Sequence, residues 1–416
     1  MSFTAFSTAL SGLNANSTAI DVVGNNLANL DTPGFKASTV DFHDLVTQSF
    51  GAGLGATQVG FGVGRPVTLR EFAQGAIQTT NGPLDAAIQG DGLFVVQSTG
   101  GATEYTRGGH FQVAADGTLI TSTGAKLQGW TQTNGALLTN GPVSNITVPV
   151  GTIKPPVPTS NFSFDLNLNA AAVAIPTPDT FSTSVEVFDS LGGSHVVTAK
   201  FTKNVTAGKW DYSITVPNAD LKTPFTPIAG SVTFDANGQL ATPLVTDPAT
   251  QVKITGLADG ASDLTLNWQV YNGTSARLTQ FAQQSAIAAV AQDGSQASQL
   301  VKFGIADGGQ IVAQYSNGQQ TVVGQLALAT IRNPESLVAA GNNNYQLSTN
   351  TSLPAIGVPA TGGRGSVLGG SIESSTVDIA TEFTNLIVFQ RGYQANAKVI
   401  TTVDQISQDT INLKPA

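Results

Sequence analysis

The sequence predicts a multidomain, mainly β chain with α-helical termini, in which the N- and C-terminal helices pair as an axial coiled coil and nested β domains fill the middle. Three observations carry this expectation. Apolar residues at both ends recur at alternating three- and four-residue steps, strand and turn signals crowd the region between about residues 51 and 370, and a proline cluster interrupts that region.

The first helix is read from Phe3, Phe6, Leu10, Leu13, Ser17, Ile20, Gly24 and Leu27, the a/d spacing of a coiled-coil seam, with six of the eight positions apolar. The same stretch holds Gly12, Gly24, Asn14, Asn16, Asn25, Asn26 and Asn29. Each of these costs roughly 0.6 to 1 kcal/mol of helix propensity, on the order of 5 kcal/mol together. Covering the large side chains returns roughly 1.5 to 3 kcal/mol apiece, so the helix needs something to cover its stripe. A helix lying on its own core and a helix waiting for partners both satisfy the periodicity.

The stop is built from Asn29, Thr32, Pro33, Gly34 and Phe35. Asn29 and Asp31 can bond local backbone groups, Pro33 pushes Thr32 out of the helical region, and Gly34 permits a positive φ. At the other end Ile379, Phe383, Leu386, Gln390, Tyr393, Ala397 and Ile400 repeat the spacing, and Val399, Val403, Ile406, Thr410 and Leu413 continue it in a shifted register. Arg391 and Lys398 flank this second seam; such charges are usually solvated, and beside an a/d stripe they can also set register.

Between the ends, Asp91-Gly92, Asp116-Gly117, Asn237-Gly238 and Asn317-Gly318 mark turns, and the stretches near Leu93–Val96, Phe111–Thr121, Thr183–Phe188, His195–Phe201, Trp210–Val216, Ser231–Leu240 and Thr321–Leu328 read as strands. Pro155, Pro156 and Pro158 exclude a central strand and place a boundary near 147 to 160. The resulting organisation has a terminal helical domain (1–30 and 372–416) and a connecting segment (31–71). An inner β domain (72–146 and 283–367) then carries an inserted outer β domain (147–282).

Composition limits function. A net charge of -9, with 11% charged residues, lacks the basic face that phosphate neutralisation requires, so nucleic acid is not an expected partner. No apolar run approaches a membrane span, and no basic residue precedes Lys36, so membrane insertion and a cleavable secretory signal are not expected either. The chain has no cysteine, which excludes disulfides and thiolate metal sites.

No chemical motif outweighs a structural reading. Gly51-Ala52-Gly53-Leu54-Gly55-Ala56 fits a loose dinucleotide pattern but is followed by more glycines, not by the helix that would hold a phosphate. His43, His110 and His195 are far apart in sequence, without metal-ligand spacing, and read as structural. Glu186 and Asp189, three apart on a strand, point to opposite faces and make a poor glycosidase pair. Neither a catalytic residue nor a cofactor is therefore expected.

The run Ala9 to Lys36, "ALSGLNANSTAIDVVGNNLANLDTPGFK", resembles the N-terminal signature of the flagellar axial proteins, the family of rod, hook and hook-filament junction subunits. The run Glu382 to Ile406, "EFTNLIVFQRGYQANAKVITTVDQI", resembles their C-terminal signature. The inner segments Gly92-Leu93-Phe94-Val95-Val96, Tyr105-Thr106-Arg107-Gly108-Gly109-His110-Phe111, Leu278-Thr279-Gln280-Phe281, Gln292-Asp293-Gly294 and Tyr315-Ser316-Asn317-Gly318 are similar to the hook members.

The resemblance implies a non-enzymatic subunit of the extracellular flagellar hook that polymerises with itself into a curved, flexible tube transmitting torque from rod to filament. It implies as partners the distal rod protein, the hook cap, the hook-length control protein, the hook-filament junction protein and the flagellar type III export apparatus. Phe3, Phe6, Leu10, Leu13, Ile20 and Leu27 would then pack with Ile379, Phe383, Leu386, Gln390, Arg391, Tyr393 and Ile400 as axial helices ordered on assembly. A distal rod protein and a secreted β-rich carbohydrate-binding protein are the alternatives. The latter leaves the paired terminal seams without a purpose.

Overall fold

The computed structural model describes residues 2–45, 48–50, 57–133 and 136–412; the glycine-rich stretch 51–56 and Leu413 of the C-terminal seam lie outside them. Two long helices, α1 (Ser2–Ala28) and α2 (Ile379–Asn412), bracket a middle made almost entirely of strands. The expected fold class holds. The chain divides into two compact units, one of residues 1–150, 302–313 and 320–416, the other of residues 151–301 and 314–319.

In the first unit the outgoing and returning chains pair with each other. Ala86–Gln89 lies antiparallel to Ser366–Gly369, and Ile77–Thr79 lies antiparallel to Ser371–Glu373. Above this stem a sheet runs in the order Gln320–Leu326, Lys126–Thr133, Leu93–Gln97, Thr103–Thr106, Asn344–Gln346 and Val338–Gly341. Its core gathers Leu93, Val95, Tyr105, Trp130, Ala329 and Tyr345. The turn at Asp116-Gly117 closes the hairpin of Phe111–Val113 and Leu119–Thr121, with Gly117 at φ 83° and the Thr118 N–H donating to Asp116 Oδ1 at 3.0 Å.

The second unit is a two-sheet sandwich. One sheet is an antiparallel meander of Thr180–Phe188, Ser194–Lys203, Lys209–Thr215, Ile228–Phe234 and Leu240–Thr242. The other is centred on Asn161–Asn167 and includes Thr250–Ile254, Leu264–Trp268 and Ala286–Gln292. Strand Ser194–Lys203 alternates in burial, hiding His195, Val197, Ala199, Phe201 and Lys203, as period-2 patterning requires when one face meets a core. Val187, Val197, Phe201 and Trp210 from the meander interlock with Phe162, Phe164, Val252, Leu266 and Trp268 from the other sheet. Ala286–Gln292 lies in this unit because it pairs along Asn161–Asn167, although its chain position alone suggested the inner strands.

Candidate assembly interface

Helices α1 and α2 lie antiparallel. Gly12 meets Asn396, Asn16 meets Gly392, and Asn26 bonds Glu382, so positions rise on one helix as they fall on the other. The buried face of α1 is made of small residues, namely Ala9, Gly12, Ala15, Ala19 and Val23, with Asn26 at its base. This face sits beside the large-residue stripe read from the sequence and does not coincide with it. Gly12 and Gly392 each lie so near an asparagine side chain of the other helix that a Phe or Leu at either position would not fit.

The large residues point elsewhere. Phe6 and Leu10 are 40% and 41% exposed, and Leu13, Ile20 and Leu27 are half-buried. On α2, Ile379, Phe383 and Tyr393 are exposed, as are Gln390 and Arg391, while Leu386 and Ile400 are half-buried. The Phe3 side chain lies outside the described set. Arg391 makes no ion pair with a described residue. Ile387, Val388, Val399 and Ile406 add further exposed apolar surface, and a groove of 480 Å³ at the open end of the pair is lined by Phe6, Val403, Ile406 and Ile411. Within one chain, then, the predicted stripe is not the α1–α2 seam, because the small-residue face fills that role.

The joint below α1 is tightly specified. Asn29 Nδ2 donates to the Asn25 carbonyl at 2.9 Å and Thr32 Oγ1 donates to Asn29 Oδ1 at 3.1 Å, which ends the helix locally. Gly34 adopts φ 70°, its N–H donates to the Glu373 carbonyl at 2.7 Å, and a Cβ there would lie 2.5 Å from the Arg107 carbonyl group. The Pro33 carbonyl accepts from Asn343 Nδ2 at 3.0 Å, and Phe35 is buried beside Ala37 and Val377.

Two buried polar clusters, unanticipated from the sequence, root the helices in the stem. Lys36 Nζ donates to Glu373 Oε1 at 2.6 Å, Arg107 Nη1 donates to Glu373 Oε2 at 3.1 Å, and the Gly75 N–H adds a bond of 2.7 Å to Oε1. Burial pulls the Lys36 pKa below its ordinary value, against the hydrogen bond and charge of Glu373, and Arg107 pulls the same way as burial. In the second cluster Asn26 Nδ2 donates to both Ser38 O and Glu382 Oε1 at 2.8 Å, and Ser38 N–H returns a bond of 3.0 Å to Asn26 Oδ1. Glu382 Oε2 is buried without a partner. Burial raises the Glu382 pKa, with Asp378 and Glu71 adding to the rise and the Asn26 bond opposing it. At the start of α2, Asp378 Oδ1 accepts from the Thr381 N–H at 2.7 Å as an N-cap. The single hint in the sequence was that Lys36 is its first basic residue.

The histidines take structural places. His195 Nε2 lies 2.8 Å from Asp189 Oδ2 and Nδ1 lies 3.3 Å from Asp220 Oδ2; burial disfavours the imidazolium, yet the two carboxylates outweigh it and raise the pKa. Asp259 is close enough to complete a ligand-like trio with Asp189 and His195, but both ring nitrogens are already engaged. His110 Nδ1 pairs with Asp85 at 2.7 Å, and His43 lies exposed near Asp41.

Four family models match along the chain: "Flagella basal body rod protein" over residues 6–36, "Flagellar hook protein FlgE/F/G D1 domain" over 87–175, "Flagellar basal body protein FlaE D2 domain" over 165–295, and "Flagellar basal body rod FlgEFG protein C-terminal" over 368–413. The chain is 32% identical to the flagellar hook protein FlgE of Escherichia coli strain K12, over 99% of this chain and all of that one. It is 32% identical to the FlgE of Treponema pallidum, covering 97% of this chain and 98% of that one. The crystal structure of Helicobacter pylori hook protein FlgE2 superposes with a TM-score of 0.54 at 14% identity, over 70% of this chain and 99% of that one, a likeness of fold.

Proposed function

The chain belongs to the bacterial flagellar hook protein family, and from that premise we propose that the exposed apolar faces of α1 and α2 are the contacts through which copies polymerise. Its function is that of a structural subunit of the hook, the part of the extracellular flagellum attached to the basal body. The subunits build a curved, flexible tube that passes torque from rod to filament. Similarity over the full length of the hook proteins leaves no room for the carbohydrate-binding alternative.

One observation carries the assembly reading. Phe6, Leu10, Ile379, Phe383 and Tyr393 stand exposed along two paired helices, although the α1–α2 seam has been closed without them. Exposed large apolar side chains in this number mark an interaction site, and repeated copies of the same chain are the partner a hook supplies. Phe3, Leu13, Ile20, Leu27, Leu386, Gln390, Arg391 and Ile400 belong to the same assembly set, and Asn29, Thr32, Pro33, Gly34 and Phe35 form the joint at which the helical core gives way to β units. We assign 1–30 with 372–416 to the axial core, 31–71 to the connector, 72–146 with 283–367 to the inner domain and 147–282 to the outer domain, except that the pairing of Ala286–Gln292 along Asn161–Asn167 carries that strand to the outer domain.

The further partners are the distal rod protein below, the hook-filament junction protein above, and the hook cap, the hook-length control protein and the type III export apparatus during growth. Weakly charged β domains meet their neighbours through polar contacts that slide as the tube bends, since dry apolar contacts would lock one geometry.

Electron microscopy of polymer grown from the purified full chain tests the reading. Curved tubes are expected, and Leu10→Asp with Phe383→Asp is expected to abolish them while leaving the β-sheet circular dichroism of the monomer unchanged. Straight, stiff polymers would transfer the chain to the rod, and polymer unaffected by both aspartates would remove the helix faces from the interface.

A further inference from the structure

Helices α1 and α2 carry the same short pattern at their closest approach: Gly12-Leu13-Asn14-Ala15-Asn16 on one, Gly392-Tyr393-Gln394-Ala395-Asn396 on the other. Gly, Ala and Asn recur at its first, fourth and fifth positions. The two copies meet head to tail, so each asparagine rests on the glycine of the opposite helix. A Cβ on Gly12 would lie 2.9 Å from both Asn396 Oδ1 and Nδ2, and a Cβ on Gly392 would lie 2.6 Å from Asn16 Oδ1.

The asparagines are positioned by their own helices. Asn16 Nδ2 donates to the Gly12 carbonyl at 2.7 Å, and Asn396 Nδ2 donates to the Gly392 carbonyl at 2.9 Å. Each amide is therefore folded back one turn, which fixes its rotamer and presents its end to the other helix. Where the Cβ is missing, the amide of the opposite asparagine takes the space that a methyl would fill. Gly24 of α1 has nothing within 4 Å of its Cβ position, so glycine as such is not what the pairing requires.

We infer that this reciprocal Gly–Asn contact is a key that sets the register and rotation of α1 on α2, and thereby decides where the exposed apolar faces point for assembly. Rotating either helix by one residue, about 100°, would drive Leu13 or Tyr393 into a gap shaped for an amide, and every contact offered to a neighbouring copy would turn away with it. Gly12, Asn16, Gly392 and Asn396 are positioning residues; they touch each other, and the contacts with neighbours are made by others. The inference rests on the assembly reading above for its consequence, and on the α1–α2 geometry alone for its existence.

The test sets packing against helix propensity, because Gly→Ala favours an isolated helix. In the purified full chain, Gly12→Ala is expected to raise the concentration needed for polymerisation by about tenfold or more, the cost of overpacking a tight contact. Adding Asn396→Ala, which removes the group the new methyl strikes, restores most of the loss; adding Asn16→Ala does not. Gly392→Ala shows the mirrored pattern, rescued by Asn16→Ala and not by Asn396→Ala, and Gly24→Ala polymerises at least as well as the unaltered chain. Wild-type behaviour of Gly12→Ala, or equal rescue by either asparagine change, overturns the key. If the unaltered chain forms no polymer, the assembly reading fails by itself. Amide exchange along α1 and α2 then reads the key in the monomer, with protection lost in Gly12→Ala and regained only with Asn396→Ala.

Discussion

Helix α1 and strand Ser194–Lys203 both show regular apolar periodicity, yet the helix leaves its large side chains half-buried or exposed while the strand hides one face completely. In the strand, Val197, Ala199 and Phe201 are fully hidden, and the sandwich around them also encloses Trp210 and Trp268. In α1 the hidden residues are alanines, a glycine, a valine and an asparagine, while Phe6 and Leu10 remain partly exposed. A single chain completes the core of one region and leaves apolar surface of the other exposed, the surface we propose its neighbours cover. Amphipathic periodicity says that a face will be covered, and it is silent about whether the cover comes from the same chain.

The strongest way to break this contrast is to truncate a large side chain in each region. Trp268 sits 6.1 Å from the Phe201 ring and 5.0 Å from that of Tyr212, so Trp268→Ala should cost about 3 to 5 kcal/mol and melt the outer sandwich early. Leu10→Ala in the monomer should cost about 1 kcal/mol or less, since Leu10 is 41% exposed and only part of its side chain is covered. Calorimetry of the two monomeric variants checks both numbers. Equal losses would mean that α1 already buries Leu10 within one chain.

The next largest effect belongs to the joint. Gly34→Ala places a methyl 2.5 Å from the backbone carbonyl of Arg107 at a φ of 70°, so it should cost at least about 1 to 2 kcal/mol from conformation alone. The loss is expected in the inner unit and not in the sandwich. Separate melting of the two units, followed by tryptophan fluorescence in a Trp130→Phe background so that only Trp210 and Trp268 of the sandwich report, distinguishes them; a shift of the sandwich transition alone would place the strain elsewhere.

Sequence made the fold class legible because helix and strand periods differ and because turn pairs such as Asp116-Gly117 are local. It also made the joint legible, since Pro33 and Gly34 act through their own backbone angles. It misassigned the α1–α2 seam for a physical reason: Phe and Leu dominate any count of hydrophobicity, whereas close helix contact selects Ala, Gly and Asn, which count as weak or unfavourable. The Lys36–Glu373–Arg107 cluster was invisible for another reason. Its members lie far apart in the chain and become neighbours only when outgoing and returning strands pair.

The finest distinction between the regions is electrostatic. The buried carboxylate of Asp189 in the sandwich is held charged: burial opposes its charge, but His195, Asp259 and the Leu191 and Gly193 N–H groups keep its pKa below the ordinary value. Glu382 at the helix root shows the opposite outcome, because burial leaves Oε2 without a partner and raises its pKa. A raised carboxylate pKa means that the folded state holds the proton more tightly. The root is therefore favoured in acid and loses stability as pH climbs from the unfolded value, about 4.3, through the raised folded one. Glu382→Gln keeps an oxygen for Asn26 Nδ2 and removes the titration, so its stability relative to the unaltered chain should be higher at neutral pH than at pH 4. Exchange of the Ser38 amide, whose hydrogen goes to Asn26, is the local reporter. Corrected for intrinsic rates, its protection should fall with pH in the unaltered chain and stay level in Glu382→Gln. An unchanged slope in the variant would take the pH response away from Glu382.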